Sequence, residues 1–231
     1  MIKQITGVIA LTTMLGSPMV ASADWTDDWM MDVRFNYALT SDVGGTDQDI
    51  GDNSHITSFN GDGIQGESSF GFAFGKRFDN LGVSLAYEPM SAEYDANGSV
   101  LANGVTLSTA KADVDADTWM LEVDYMIDVN EAFAWNLLFG IGETEFDTGT
   151  VTLGTIAGTA SVAADAVTNT DTTTRFGVGL TYKMSESAAL ITMLQYTDYG
   201  TVDIQLTDGQ TTVTSFDVEA TQLSMRLRFM F

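Results

Sequence analysis

The sequence predicts an all-β fold, an eight-stranded antiparallel up-and-down transmembrane β-barrel with short periplasmic turns and long extracellular loops. Eight segments alternate large apolar residues with small or polar ones, which is the pattern of strands that have two different faces. The connections between these segments are alternately short and long, and the last segment ends on Phe231 at the C-terminus. These features together are typical of barrels that cross a membrane.

The fourth and eighth segments show the alternation most clearly. In the fourth, the large apolar residues at 119–127 alternate with Met120, Glu122, Asp124 and Met126. In the eighth, those at 223–231 alternate with Gln222, Ser224, Arg226, Arg228 and Met230. The seventh segment, 188–202, is less regular, and we place its Leu190, Leu194 and Tyr196 on the outward face.

Three connections are short, at 79–81, 129–131 and 185–187. Four are long and rich in Gly, Asp, Thr and Ser, as exposed loops are: 41–66, 95–115, 147–171 and 203–215. An even number of strands places both termini on the short-turn side, which we assign to the periplasm.

The large apolar face of each strand is predicted to point outward, toward lipid. An eight-stranded interior is nearly filled by its own side chains, and this face holds too many bulky residues to fit there. Aromatic residues near the strand ends would form the two girdles expected at the membrane interfaces. Because an open sheet edge cannot persist in hydrocarbon, the last strand is expected to pair with the first.

Composition excludes several other classes of protein. The formal net charge is −23, which disfavours binding to nucleic acid phosphates. There is no cysteine, so no disulfide stabilises the exported chain, and no apolar run is long enough for a transmembrane helix.

Residues 1–23 read as a secretory signal peptide. Lys3 is followed by a short apolar run, and Ala21-Ser22-Ala23 offers the small-x-small pattern of a cleavage site. Cleavage is therefore expected between Ala23 and Asp24, and residues 24–231 are expected to form one outer-membrane barrel domain.

The inward faces carry a predicted ionic network of seven residues: Arg34, Glu88, Glu122, Asp124, Arg175, Arg226 and Arg228. Closure would bring Arg34, Arg226 and Arg228 onto one wall, with the carboxylates facing them across the lumen. The charges could line an ion-selective channel or form buried pairs that plug the lumen. The plugged interpretation is favoured, because so narrow an interior is nearly filled.

The chain resembles the small outer-membrane β-barrel superfamily, which includes OmpA-type transmembrane domains and OmpX-type proteins. The resemblance is carried by the final strand of alternating apolar residues closed by Phe231, with Tyr196, Asp198 and Tyr199 upstream. It implies that the barrel-assembly machinery contacts Phe229 and Phe231. We expect no periplasmic peptidoglycan-binding domain after the barrel, so the resemblance does not imply a tethering role.

Two features invite a more specific interpretation than they support. His55, the only histidine, lies in an acidic loop without a serine nucleophile at the spacing a catalytic group needs. Asp42, Asp47, Asp49 and Asp52 could bind divalent cations adventitiously, but they lack a calcium-loop pattern. We therefore predict no catalytic residue, no dedicated metal site and no cofactor.

These observations favour a structural or surface-interaction protein of the outer membrane of a Gram-negative bacterium. The alternatives are a small passive channel for ions or solutes and, third, a lipid-modifying barrel enzyme. The expected partners are outer-membrane lipid, lipopolysaccharide and the barrel-assembly machinery, with no nucleic acid. A monomer is expected, and its surface ligand is not specified by the sequence.

Overall fold

The structure is a computed structural model of the 231-residue chain. It describes residues 29–45, 48–49, 55–61, 68–102, 105–148, 152–155, 158–159, 167–207 and 211–231. The predicted signal peptide 1–23, its cleavage site at Ala23 and Asp24, and residues Asp47 and Asp52 lie outside these ranges. The side chains of Asp42, Asp49 and His55 also lie outside the described part, although their backbones belong to strands.

Eight long strands form the barrel wall. They are β1 (Trp29–Gly45), β4 (Ser68–Phe78), β5 (Leu81–Ala102), β6 (Val105–Asp128), β7 (Phe133–Thr148), β10 (Val167–Ser185), β11 (Ala188–Thr207) and β12 (Thr211–Met230). Four short strands lie in the long connections: β2 (Gln48–Asp49), β3 (His55–Gly61), β8 (Thr152–Thr155) and β9 (Gly158–Thr159). Each wall strand pairs antiparallel with its sequence neighbours in the wall, as an up-and-down barrel requires.

The barrel closes between its first and last strands. β1 pairs with β12 from Met30 opposite Met230 upward, and the amides of Trp29 and Phe231 each donate to the other's carbonyl at 3.1 and 3.0 Å. No sheet edge therefore remains open among the described wall strands, which is the condition for a sheet in hydrocarbon. The predicted fold, an eight-stranded antiparallel barrel, is confirmed.

The outward face of the wall is a belt of large apolar side chains exposed on the outer surface. Leu85, Leu121 and Val178 are among them, and Phe70 is 60% exposed. Six aromatic side chains near the short-turn ends of the strands point outward, with exposed fractions between 37% and 49%: Trp29, Phe78, Tyr125, Phe133, Tyr182 and Phe231. Such a belt is unstable in water and stable against acyl chains. Among the described residues, none forms a helix long and apolar enough to cross a membrane.

The predicted long loops contain more strand than the sequence suggested. In place of a loop over 95–115, β5 and β6 continue as a hairpin to the pair Ala102 and Val105. β11 and β12 likewise extend to the pair Thr207 and Thr211, inside the predicted loop 203–215. Parts of 41–66 and 147–171 are also strand. The Asp and Thr content indicated exposure to water correctly, but Thr is β-branched and is compatible with a hydrated strand.

A β-bulge interrupts the upper part of β11. Between Asp198 and Gly200 the pairing to β12 shifts by one residue, and Gly200 has φ +84°, a left-handed conformation that favours glycine. The Asp198 carboxylate accepts the Gly200 amide hydrogen at 3.0 Å. Because the bulge shifts the alternation by one residue, the inward positions on either side of Gly200 are Tyr199 and Val202.

Candidate functional site

The lumen contains nine charged side chains that the structure describes as buried. They are Asp32, Arg34, Arg77, Glu88, Glu122, Asp124, Arg175, Arg226 and Arg228. All five arginines of the chain belong to this set. Buried charges need partners, because an unpaired ion outside water is very costly. The arrangement of these side chains therefore decides what the lumen can do.

Glu122 on β6 is the centre of an upper ionic layer. Its carboxylate accepts two hydrogen bonds from Arg34, at 2.8 and 2.6 Å, in a bidentate arrangement. Arg226 and Arg175 each add one further bond at 3.2 Å. One carboxylate thus holds three guanidinium groups from three other strands, with the short charge-assisted bonds that such pairs form.

Glu88 on β5 completes this layer. Arg175 donates to both of its carboxylate oxygens, at 2.9 and 2.6 Å, and Arg34 approaches it at 3.4 Å. Thr197 accepts the remaining Nε–H of Arg175 at 2.9 Å. The two glutamates therefore share Arg34 and Arg175, and the layer is one connected network rather than separate pairs.

A lower ionic layer is centred on Arg228 of β12. Its Nε and Nη2 donate to the two oxygens of Asp32 at 2.8 and 2.9 Å. Its Nη1 and Nη2 donate to Asp124 at 3.0 Å each. Asp32 also lies 3.6 Å from Arg34, which links the lower layer to the upper one.

These ion pairs cross the full width of the barrel. Around the wall, β12 and β6 are four strands apart in either direction, so they face each other. Arg226–Glu122 and Arg228–Asp124 both join these two opposite strands. Side chains of opposite strands therefore meet in the middle of the lumen at these two levels.

Neutral polar groups lie above the ionic layers. Gln195 donates to Gln222 at 3.0 Å and accepts from Arg226 at 2.9 Å, so it joins the two levels. Gln222 in turn donates to the Tyr199 hydroxyl at 2.9 Å. On the other wall the hydroxyls of Thr118, Thr144 and Thr173 form a hydrogen-bonded row across β6, β7 and β10.

Small and apolar residues line the rest of the lumen. Leu138, Ile191 and Met193 form a buried apolar cluster, and Met30, Met126 and Met230 lie at the short-turn end with at most 2% exposed. Glycine is required at Gly142, because a Cβ there would collide with the Trp119 backbone carbonyl of the adjacent strand. Close contacts of this kind are expected in the narrow interior of an eight-stranded barrel.

The structure brings together all seven residues of the predicted ionic network: Arg34, Glu88, Glu122, Asp124, Arg175, Arg226 and Arg228. Two further members, Asp32 and Arg77, are not in the network predicted from the sequence. Both could have been found from the alternation, because Asp32 is in phase with Arg34, and Arg77 is in phase with Gly71, Ala73 and Gly75. The position of Arg77 near the short turn obscures this phase, although the turn begins only after Phe78.

The described residues contain no group of three or more His, Cys, Asp or Glu side chains able to hold a metal ion. The lumen carboxylates are occupied by arginines instead. For the residues that can be described, the chemistry of this site is therefore ion pairing.

No family model matches the chain, and no curated protein matches it either. Among solved structures, it is similar to the outer membrane protein AlkL, with 19% identity, a TM-score of 0.54 and coverage of 94% of this chain and 95% of AlkL. OprG of Pseudomonas aeruginosa shows 16% identity, a TM-score of 0.50 and coverage of 89% and 96%. The outer membrane protease OmpT of Escherichia coli shows 8% identity, a TM-score of 0.52 and coverage of 93% and 100%.

At identities this low, the similarity shows the fold alone. The chain has the fold of the small outer-membrane β-barrels, as its sequence predicts. A protease is among the structures of this shape, so the fold does not decide whether the chain is a catalyst.

Proposed function

We propose that this barrel is a structural or surface-interaction element of the outer membrane, with a lumen that its own ionic side chains close. The single observation that carries the proposal is the upper layer, in which Glu122 and Glu88 hold three arginines from different strands by bonds of 2.6–3.4 Å. A path for ions would require several of these buried bonds to break together, and each exposed charge would then lack a partner.

The strands above the apolar belt support the surface role. Asp115, Asp117, Glu143, Glu145 and Asp147 all point outward from β6 and β7 and are exposed. Carboxylates cannot remain ionised against acyl chains at low cost, so this part of the barrel lies in water. The wall consequently projects beyond the membrane as a hydrogen-bonded stalk, on which the connections between the strands are presented.

Conductance in planar lipid bilayers tests the closed lumen. We expect the refolded protein to insert without a steady conductance. Arg226→Ala removes a side chain that bonds Glu122 and Gln195 across the barrel, so we expect it to produce openings. Met225→Ala is the matched control, because Met225 is the preceding residue and points to lipid; it should stay closed.

A steady, charge-selective conductance of the unaltered protein, changed by Arg226→Ala, would contradict the closed lumen and favour the passive channel. The enzyme is the weaker alternative, since only the fold links the chain to a protease. We propose that the chain is not an enzyme. A lipid-modifying or proteolytic activity that disappears in His55→Ala would contradict this.

The proposed partners follow from the same surfaces. Outer-membrane lipid contacts the apolar belt. Lipopolysaccharide surrounds the exposed carboxylates of β6 and β7 above the belt, which we call the acidic rim. The barrel-assembly machinery is proposed to contact Phe229 and Phe231 on the closing strand. A monomer is proposed, because the wall is closed by pairing between β1 and β12 of the same chain.

A further inference from the structure

Arg77 differs from the other four arginines of the lumen. It lies on β4 next to the short turn, and it is 1% exposed. Its two terminal nitrogens, Nη1 and Nη2, both lack a hydrogen-bond partner among the described residues. In Arg34, Arg175, Arg226 and Arg228 both terminal nitrogens are bonded. The two Nη groups of Arg77 are therefore buried hydrogen-bond donors without an acceptor among the described residues.

The neighbouring carboxylate of Asp124 gives Arg77 an ion pair but no hydrogen bond, because Arg228 engages both of its oxygens. Asp124 accepts two hydrogen bonds from Arg228 at 3.0 Å. Its Oδ2 lies 3.6 Å from Nη1 of Arg77, which is too long for a hydrogen bond. Five arginines and four carboxylates are buried in the described lumen, so the set carries one excess positive charge.

Apart from the Nε of Arg34 in the upper layer, the other two buried side-chain polar atoms without a partner among the described residues lie across the lumen from β4, on β7 and β10. They are the Oδ1 of Asn136 and the Oγ1 of Thr181. The Nδ2 of Asn136 donates at 3.4 Å to Oδ2 of Asp124, the same oxygen that Arg77 approaches. Thr181 is two residues along β10 from Gly179, the partner of Asn136 in the sheet. We name these three residues, Arg77, Asn136 and Thr181, the lower niche.

We infer that the lower niche binds a small protonated oxyanion, of the class of hydrogen phosphate or hydrogen carbonate. Two oxygens of such an ion accept from the Arg77 fork, which is the geometry guanidinium groups favour. Thr181 can donate a third bond. The acceptor Asn136 Oδ1 needs a donor, and the hydroxyl of a protonated oxyanion supplies one. The ion also balances the excess positive charge.

The periplasmic end offers a route of entry. Met30, Met126 and Met230 are buried methionines at the short-turn end, and the Met30 methyl lies beside Gly82, which also neighbours Asp124. Methionine side chains are unbranched and adapt to their surroundings. An ion that enters from this end passes flexible apolar side chains, whereas the layers above contain bonded charges across the barrel.

The five arginines make a direct test possible. In ¹⁵N-arginine-labelled protein in lipid nanodiscs, the Nε–H spectrum contains five signals, and the Arg77 signal is the one missing from Arg77→Gln. We expect inorganic phosphate at slightly acidic pH to shift the Arg77 signal saturably, while the other four serve as internal references. Sulfate at equal ionic strength, which carries no proton under these conditions, should shift it at least several-fold less.

Variants separate the niche from general charge effects. Thr181→Val keeps the shape and removes one donor, and should weaken phosphate binding by about fivefold. Line broadening of the ³¹P signal by the protein should disappear in Arg77→Gln and persist in Lys183→Gln, which removes a positive charge at the same end of the barrel. The heat-dependent shift in gel mobility of each variant reports that it has folded.

The inference fails if no arginine signal responds to phosphate. It also fails if sulfate and phosphate act equally, or if folded Arg77→Gln still broadens the phosphate signal. The conductance of the barrel is a separate measurement, so a closed lumen with no anion site, or an anion site in an open lumen, would each be recognised.

Discussion

The two faces of the barrel wall belong to the same strands but meet different surroundings, lipid on the outside and buried charges on the inside. On the outward face, exposed residues such as Leu121 and Phe139 need only be large and apolar, because fluid acyl chains adapt to them. On the inward face, Glu122 and its arginines must match atom for atom, since a buried charge without a partner is costly. A substitution should therefore matter for its hydrophobicity outside and for its pairing inside.

The largest effect is expected inside, from Glu122→Gln. The change leaves Arg34, Arg175 and Arg226 without their shared carboxylate. Removing one partner of a buried ion pair costs about 3–5 kcal/mol, and we expect a loss of this size in the free energy of unfolding by urea in lipid vesicles. Glu145→Gln removes an exposed carboxylate of the rim and should change stability by less than about 0.5 kcal/mol. Equal losses of unfolding free energy in the two variants would mean that water reaches the upper ionic layer and replaces the lost hydrogen bonds.

An intermediate effect is expected outside, from Leu137→Arg. Leu137 points outward between Phe133 and Ile141 on β7. A charge at the bilayer midplane costs about 2–4 kcal/mol, to be measured by the same unfolding experiment. Leu137→Met keeps the volume and the apolar character, and should cost under about 1 kcal/mol. Tolerance of the arginine would contradict the assignment of this face to lipid.

The smallest effect on stability is expected above the apolar belt, where the side chains meet water. There neither hydrophobicity nor buried ion pairing strongly affects stability. The Asp171 carboxylate accepts the backbone amide hydrogens of Thr201 at 2.7 Å and Thr172 at 2.6 Å, above the apolar belt. These hydrogen bonds hold the pKa of Asp171 below its usual value. A lowered pKa in the folded state stabilises the protein above the ordinary aspartate pKa of about 4, and this contribution is lost as the pH falls through the folded-state value.

Asp171→Asn should therefore lower stability at pH 7 by about 1 kcal/mol or less, and the difference from the unaltered protein should shrink under acid conditions. Urea unfolding at neutral and acid pH measures both. Asp147→Asn, which removes an exposed rim carboxylate, is the control for the loss of negative charge. A difference between Asp171→Asn and the unaltered protein that grows on acidification would show that the carboxylate is not stabilised by these two amides.

Much of the barrel could be predicted because alternation is a local property. The inward phase of Arg34, Glu122 and Arg228 follows directly from the residues on either side of each, since successive side chains of a strand point to opposite faces. The ends of the strands could not be predicted in this way. Above the belt both faces of a strand meet water, so the alternation weakens, and the sequence predicts a loop where the hairpin continues to Ala102 and Val105.

The arrangement inside the lumen was only partly predictable. Val202 points inward because of the bulge at Gly200. The residue pattern before the bulge does not predict that the inward positions shift by one residue after it. The pairing of Arg228 with both Asp32 and Asp124, which leaves Arg77 with an ion pair to Asp124 but no hydrogen bond to it, depends on distances across the barrel. Those distances follow from the stagger of eight closed strands, which no single segment encodes.

The sequence by itself determined the class of the protein: which side of each strand is apolar, how many strands there are, and that the last strand carries Phe231 back to the first. Only the tertiary structure decided which charges meet, and so that the layers cross the lumen and that the two Nη groups of Arg77 have no hydrogen-bond acceptor among the described residues. The reason is physical. The direction of a side chain is set by its own backbone, whereas its partner is set by the closure and register of the whole wall.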